Sequence, residues 1–345
     1  KYDSSGTKQW TKQFGTSESD FARAVAVDSS NNIYITGYTK GGLDGNSNSG
    51  NEDIFLVKYN SSGVKQWTKQ LGSTAPDGGK GVVVDSSNNI YVSGWTWGGL
   101  DGNTSSGEYD AFLVKYDSSG TKQWTKQFGT SDSDQGYAVT VDSSGYIYVT
   151  GMASGVLDNA SSTAGPFIVK YDSSGNRQWT KQFGPGVGAG ITSDSSNNIF
   201  VTGWTTGSLE SGIINNYSKA DLFLAKYNSS GTQQWIKQIG SHISDSNGSM
   251  YPDGGYGVEV DSSNNIYVTG YTTGPVYSNN NYQNSDIFLI KFGASGTKIW
   301  EKSLGAPRRN GWAEYPDGDV ARGITIDSSG GIYVTGHTKS ELKVD

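Results

Sequence analysis

The stretch "VDSSNNIYVTGYT" at 260–272 decides how this chain is read, because near copies stand at 27–39, 84–96, 141–153, 193–205 and 326–338. Six copies in 345 residues point to one supersecondary unit stacking on its neighbours, since such repeats share one continuous core. Within a copy, a short run such as "GVVVD" at 81–85 leads through the polar link "SSNN" to a second run, "NIYVSGWT" at 89–96. Both runs have the β-branched and aromatic content of strands, and the link supplies Asn, which tolerates the positive φ of a tight turn. The stretch is therefore an antiparallel hairpin, strands A and B.

A second hairpin follows. "DAFLVKYD" at 110–117 and "TKQWTKQFG" at 121–129 give strands C and D, joined by "SSG", whose Gly suits the left-handed position of a short loop. Aligning Trp10, Trp67, Trp124, Trp179, Trp235 and Trp300 gives spacings of 57, 57, 55, 56 and 65 residues. That exceeds the roughly 40 to 45 residues of ordinary four-stranded blades by one long loop. Four antiparallel strands, six times over, predict an all-β chain: a six-bladed β-propeller with 1–345 as a single domain. Residues 1–15 supply the end of a C strand and a D strand, and 319–345 supply A, B and, in "ELKVD" at 341–345, the start of C. The two termini are thus expected to share one blade that closes the ring and removes two free sheet edges. The strand-D Trp is expected between neighbouring blades.

The net charge of -7, with no long basic run, argues against nucleic-acid binding, which needs a Lys/Arg stripe. No apolar stretch approaches the roughly 18 to 20 residues that span a bilayer, and the chain opens inside a repeat ("KYDSSG"), so it reads as a mature or excised soluble piece. Cysteine is absent, which excludes disulfides, thiolate nucleophiles and Cys-based zinc sites. The Asn/Ser/Thr-rich composition points to the cell surface or the extracellular space.

The combination "VDSSNNIYVTGYT" with "DIFLVKYNSSGVKQWTKQ" at 53–70 resembles the bacterial and archaeal beta-propeller repeat called SBBP. It is more distantly similar to NHL-type repeats, in which a "GVAVD…NIYV" hairpin also opens each blade. The resemblance covers essentially the whole chain. It implies a propeller in surface or secreted proteins and supplies no catalytic motif. The family's name implies seven blades; six copies here mean a six-bladed ring or a ring with one blade outside this piece of chain.

Function on such a scaffold is expected on the variable B-to-C and D-to-A loops. Aspartates recur there at two positions: Asp20, Asp77, Asp134, Asp253 and Asp319 before strand A, and Asp53, Asp110, Asp221 and Asp286 before strand C. Both are missing together, at Gly165 and Gly186, which suggests that the two carboxylates cooperate, by accepting backbone N–H bonds or by holding a cation. Oxygen side chains alternate at Asp44, Asn46 and Asn48 and at Asp101, Asn103 and Ser105, in loops that end on Asp53 and Asp110; this pattern points to calcium, held by Asp44, Asn46 and Asp53 and by Asp101, Asn103 and Asp110.

The residue after the Gly ending each B strand is Tyr38, Trp95, Met152, Trp204, Tyr271 or His337, with Trp97 additional. Aromatic faces beside Asn, Asp and Thr suit a glycan, whose C–H faces pack on rings while hydroxyls hydrogen-bond; packing between blades is the plainer role. Near the start of strand A stand Arg23, Lys80 and Arg322, a cationic set for an anionic ligand such as an acidic sugar, or for simple pairing with aspartates.

With two histidines and no G-x-S-x-G motif, hydrolase chemistry is weakly represented. The sequence therefore predicts a non-enzymatic extracellular propeller that binds a glycan or a protein partner. A self-assembling structural subunit of a surface layer, appendage or adhesin comes second, and a glycan-cleaving enzyme third.

Overall fold

The computed structural model describes residues 1–160, 164–209, 220–240, 253–272, 286–304 and 318–338. The first sheet is β1 (Asp20–Val27), β2 (Ile33–Thr39), β3 (Asp53–Tyr59) and β4 (Lys65–Leu71). The second is β5 (Asp77–Val84), β6 (Ile90–Thr96), β7 (Asp110–Tyr116) and β8 (Lys122–Phe128). Next come β9 (Asp134–Val141), β10 (Ile147–Ala153), β11 (Gly165–Tyr171) and β12 (Arg177–Gln182). The fourth sheet holds β13 (Gly186–Ser193), β14 (Ile199–Thr205), β15 (Asp221–Tyr227) and β16 (Gln233–Ile239). The fifth holds β17 (Asp253–Val260), β18 (Ile266–Thr272), β19 (Asp286–Phe292) and β20 (Lys298–Leu304). A last pair, β21 (Val320–Ile326) and β22 (Ile332–His337), makes a two-stranded sheet among the described residues. Each sheet runs in chain order, so the A–B–C–D reading holds for the five four-stranded sheets, and the A–B part of it for the sixth.

The chain divides into two compact units. One is Lys1–Val141 with Ala153–Leu157 and Asp172–Asn176; the other is Asp142–Met152, Asp158–Tyr171 and Arg177–Asp345. In the first, Ile54 and Leu56 meet Val82, Ile90, Val92 and Phe112 between successive sheets. In the second, Phe200, Leu222 and Leu224 meet Val258, Ile266 and Phe288 in the same way. Alternate residues of each strand thus fill the space between sheets, as a period of two requires.

The repeated hairpin owes its shape to one aspartate. Asp28 Oδ1 accepts the backbone N–H of Ser30 (2.9 Å) and of Asn32 (2.8 Å), while Oδ2 accepts Asn32 Nδ2 (2.8 Å) and the Tyr34 hydroxyl (3.0 Å). Burial raises the Asp28 carboxyl, but the bonds from Asn32, Tyr34 and Ser30 outweigh it and hold the group below its ordinary value. Asn31, Asn88, Asn197 and Asn264 take φ near +60°, and Gly145 and Gly330 replace them at φ 81° and 85°. The "DSSNNIY" wording is a self-capped turn tied to the next strand. A Tyr34→Phe chain, which removes one buried donor from Asp28, is expected to lose about 1 kcal/mol, read as a lower urea midpoint.

Successive sheets are clasped through strand D. The ring of Trp67 lies on the turn glycine Gly120, Trp124 on Gly175, Trp179 on Gly231 and Trp235 on Gly296, so these tryptophans pack between neighbouring repeats. Beside them, Lys58, Lys115 and Lys170 donate to the carbonyls of Ser118, Ser173 and Ser229 at 3.1, 3.0 and 2.8 Å. Lys58 crosses the ring of Tyr34, 5.1 Å from its centroid.

The first residues make the same clasp. Tyr2 and Lys8 form an isolated bridge across a turn closed by Gly6 N to Asp3 O. Lys1 Nζ donates to Ser61 O at 3.1 Å, and the Trp10 ring lies on Gly63. Of the C-strand end and D strand expected over 1–15, the Tyr2–Lys8 bridge is the only paired part, and residues 9–15 carry no strand. The expected C-strand start at 341–345 lies outside the described residues, as do the loop stretches 210–219, 241–252, 273–285 and 305–317.

Candidate ligand-binding surface

Strand A is irregular at one place in five of the sheets. A β-bulge falls between Ala22 and Ala24, Gly79 and Gly81, Gly188 and Gly190, Gly255 and Gly257, and Ala321 and Gly323. The extra residue is Arg23, Lys80, Ala189, Tyr256 or Arg322, so the bulge re-aims the side chains that the sequence singled out near the start of strand A. It also draws the A-strand backbone onto strand B. A Cβ on Gly37, Gly94, Gly203, Gly270 or Gly336 would run into the carbonyl of Phe21, Gly78, Val187, Gly254 or Val320. The glycine near the end of each of these B strands is therefore a consequence of the bulge.

In the first unit, Arg23 stands over the rings of Phe21 and Tyr38, 5.6 and 5.3 Å from their centroids, and donates from Nη2 to the Tyr38 hydroxyl at 3.2 Å. Lys80 Nζ lies 5.4 Å from the Tyr137 ring. The indole of Trp95 lies on Gly78 and meets Tyr109 edge to face at 5.0 Å, while Trp97 reaches the same Tyr109 at 5.0 Å with 49% of its surface exposed. In the second unit, Arg322 sits 4.3 Å from the Tyr256 ring, which contacts Trp204 at 5.6 Å and Tyr271 at 5.9 Å. The cation at three of the bulges thus meets an aromatic distant in sequence: Arg23 meets Tyr38 of its own sheet, while Lys80 and Arg322 meet Tyr137 and Tyr256 of a neighbouring one. His337 ends β22 opposite Val320 and is exposed.

Arg23 and Arg322 rest on rings, and no ion pair of theirs occurs among the described residues. Phe21 and Tyr109 join the surface without having stood out in the sequence. The available signal was an aromatic at a position that is small or polar in other repeats, such as Gly78 for Phe21 and Glu52 for Tyr109.

The residues marked for calcium are committed to separate partners. Asp44, in the 3₁₀ turn Leu43–Gly45, pairs with Lys65 and accepts the Thr68 hydroxyl, and these bonds hold its carboxyl below the ordinary range. Asp101, in the turn Leu100–Gly102, pairs with Lys122 and accepts Thr125 Oγ1 at 2.7 Å. Asn46 and Asn103 donate from Nδ2 to the carbonyls of Leu43 and Leu100 at 2.7 and 2.8 Å. Asp53 and Asp110 face the other way: Oδ2 of each takes the backbone N–H of Ser49 or Ser106 and the amide of Gln70 or Gln127. Among the described residues no cluster of three or more carboxylates or histidines is set to hold a metal.

Comparison with known proteins adds relatives of two kinds. Over 318 residues the chain is 25% identical to "Uncharacterized WD repeat-containing protein L264" of Acanthamoeba polyphaga mimivirus, covering 69% of this chain and 23% of that protein. Over 178 residues it is 26% identical to "Regulatory protein FlaEY" of Caulobacter vibrioides, covering 47% of this chain and 18% of that protein. The chain therefore spans less than a quarter of the length of these curated relatives. The Neurospora crassa Pan2 WD40 domain superposes with a TM-score of 0.41 at 11% identity, over 91% of this chain and 85% of the domain. No helix among the described residues is long and apolar enough to cross a membrane. The Beta-propeller repeat family, SBBP, matches at residues 9–44, 66–101, 123–158, 178–210, 234–275 and 313–343, each match carrying the D-strand Trp or the A–B hairpin described above, and to that family this chain belongs.

Proposed function

We propose that this chain is a non-enzymatic binding propeller of the cell surface or extracellular space, and that it takes up an acidic carbohydrate on the side chains presented by the strand-A bulges. The observation that carries this is the placement of Arg23, Lys80 and Arg322 against aromatic rings. A sugar ring packs its C–H face on an aromatic, and a guanidinium offers paired donors to a carboxylate or sulfate. Trp97, exposed beside Tyr109, adds an apolar platform. Closure of a six-bladed ring, with its last blade shared by residues 1–15 and 319–345, would make the bulge positions continuous. The clasp made by Lys1 and Trp10 supports that reading, since it reproduces the outer end of a blade.

A glycan array carrying uronic-acid, sulfated and neutral oligosaccharides tests the proposal, followed by titration with the best acidic oligosaccharide. Retention of acidic sugars is expected, with Arg322→Ala or Arg23→Ala weakening binding about 10-fold and Trp97→Ala by a similar factor. Retention of neutral sugars alone, or no effect of either arginine, would overturn it. Release of reducing ends would make the chain a hydrolase instead. A second reading, a structural subunit that assembles with copies of itself, is favoured by Val25 and Val27 on β1, which are 63% and 56% exposed. An array that retains nothing, together with light scattering from assemblies, would select it.

A further inference from the structure

Within the first unit, the paired aspartates of the repeat are buried side by side where one sheet meets the next. Asp53 opens β3 and Asp77 opens β5, with Asp77 N donating to Glu52 O at 2.7 Å; Asp110 and Asp134 repeat this through Asp134 N and Tyr109 O at 2.6 Å. All four side chains are 0% exposed. Asp77 accepts Ser73 N at 2.5 Å and the hydroxyls of Ser73 (3.2 Å) and Thr96. Asp134 accepts Thr130 N, Thr130 Oγ1 at 2.9 Å and Ser154 N at 3.1 Å. With Oδ2 of Asp53 and Asp110 occupied as described, Oδ1 of each is buried and has no hydrogen-bond partner.

Each of those two oxygens lies against the glycine that follows the neighbouring D strand. A Cβ on Gly72 would sit on Asp53 Oδ1. A Cβ on Gly129 would sit on Asp110 Oδ1 and lie 2.9 Å from Asp134 Oδ2, so the carboxylates of two sheets converge over one glycine. No lysine or arginine among the described residues pairs with any of the four. Two buried carboxylates without a counter-charge are costly, and a cation beside the unpartnered oxygen offsets that cost. In the second unit, Gly165 and Gly186 replace both members of one pair. There a Cβ would meet the carbonyl of Gly184 or Trp204, so backbone fills the space and both charges go together.

We propose that Asp53 with Asp77, and Asp110 with Asp134, each hold one Ca²⁺-like hard divalent cation between successive sheets. One such ion neutralises both carboxylates at once and gives the orphaned Oδ1 its partner, drawing the rest of its roughly six to eight oxygen ligands from loop carbonyls and water. The loop carboxylates Asp44 and Asp101 are already matched by Lys65 and Lys122. This inference is independent of the carbohydrate reading.

Terbium, a luminescent stand-in for calcium, is titrated into the chelator-treated full chain, with calcium as competitor and thermal melts alongside. The isosteric variants Asp53→Asn and Asp110→Asn are each expected to lose one bound equivalent and the double variant two, and calcium is expected to raise the parent melting temperature by ~5 °C. Loss of terbium binding in Asp44→Asn and Asp101→Asn instead, or no change in stoichiometry in the double variant, would overturn the assignment. So would melting that ignores both calcium and chelator. Variants that melt higher with or without calcium would show that a shared proton neutralises the pair, which also overturns it. Should the double variant not fold, elemental analysis of the gel-filtered parent decides: two or more calcium equivalents support the sites and none refutes them.

Discussion

A Gly94→Ala chain is expected to lose about 3 kcal/mol or more of folding free energy. The added Cβ would be driven into the Gly78 carbonyl and would stand 2.7 to 2.8 Å from two atoms of the Phe112 ring. Phe112 is 0% exposed and has nowhere to turn. The carbonyl can retreat only if the bulge at Lys80 is undone. That moves the register of β5 by one residue and turns its core-facing side chains to the opposite face. Strand A and the presented cation would therefore be lost together. Gly293→Ala is the control, since its nearest neighbours lie 3.8 and 3.9 Å from a new Cβ and no left-handed φ is involved; a change within about 0.5 kcal/mol is expected there. Urea unfolding of both variants makes the comparison, and equal midpoints would mean that the bulge yields to a methyl group.

A Glu259→Gln chain is expected to be more stable than its parent in neutral and alkaline solution and not in acid. Glu259 lies on β17, where the A strands of the other repeats carry Ala26, Val83, Thr140, Thr192 and Thr325. Burial pushes its carboxyl up to about 7, against a smaller opposing effect of the hydrogen bond with Thr192. A raised acid binds its proton more tightly folded than unfolded, so stability falls as the pH rises from the ordinary glutamate value through about 7. Above that range the parent carries the full cost of a buried charge, on the order of 1 to 3 kcal/mol, and glutamine does not. Melting curves from pH 4 to pH 9, roughly the span over which such a group titrates, should show the two chains converging in acid and separating in base. A constant offset at every pH would assign the difference to packing.

The hairpins were legible because their causes are local. Asp28, Asn31 and Tyr34 stand within seven residues of one another, and the positive φ of Asn31 follows from the turn. The tryptophans were legible as packing between repeats, since a ring at a constant place in every unit must meet a constant neighbour, here the turn glycines from Gly63 to Gly296. Trp95, Tyr38 and Arg23 also stood out, but Phe21 and Tyr109, which pack on them, did not. Arg23 reads as a ligand-binding cation or a partner for aspartate, and its seat on Phe21 and Tyr38 follows only from the bulge, whose trace in sequence is a pattern such as Gly79-Lys80-Gly81, where glycine hides the break in alternation. Asp44 and Asp53 read as one oxygen-rich loop until Lys65, on a later strand, claims the first of them.

The amino-acid order alone determined six A–B hairpins, five of them continued by a second hairpin among the described residues, because a period of two and a self-capping turn act over a few residues. Which cation rests on which ring, and which two aspartates share a buried corner, was decided only when consecutive sheets packed together. The aspartate pairs, Lys80 with Tyr137 and Arg322 with Tyr256 join residues from different sheets, while Arg23 meets Tyr38 across one sheet's hairpin; the strength of all these contacts comes from excluding water, which no stretch of chain can do before the sheets meet.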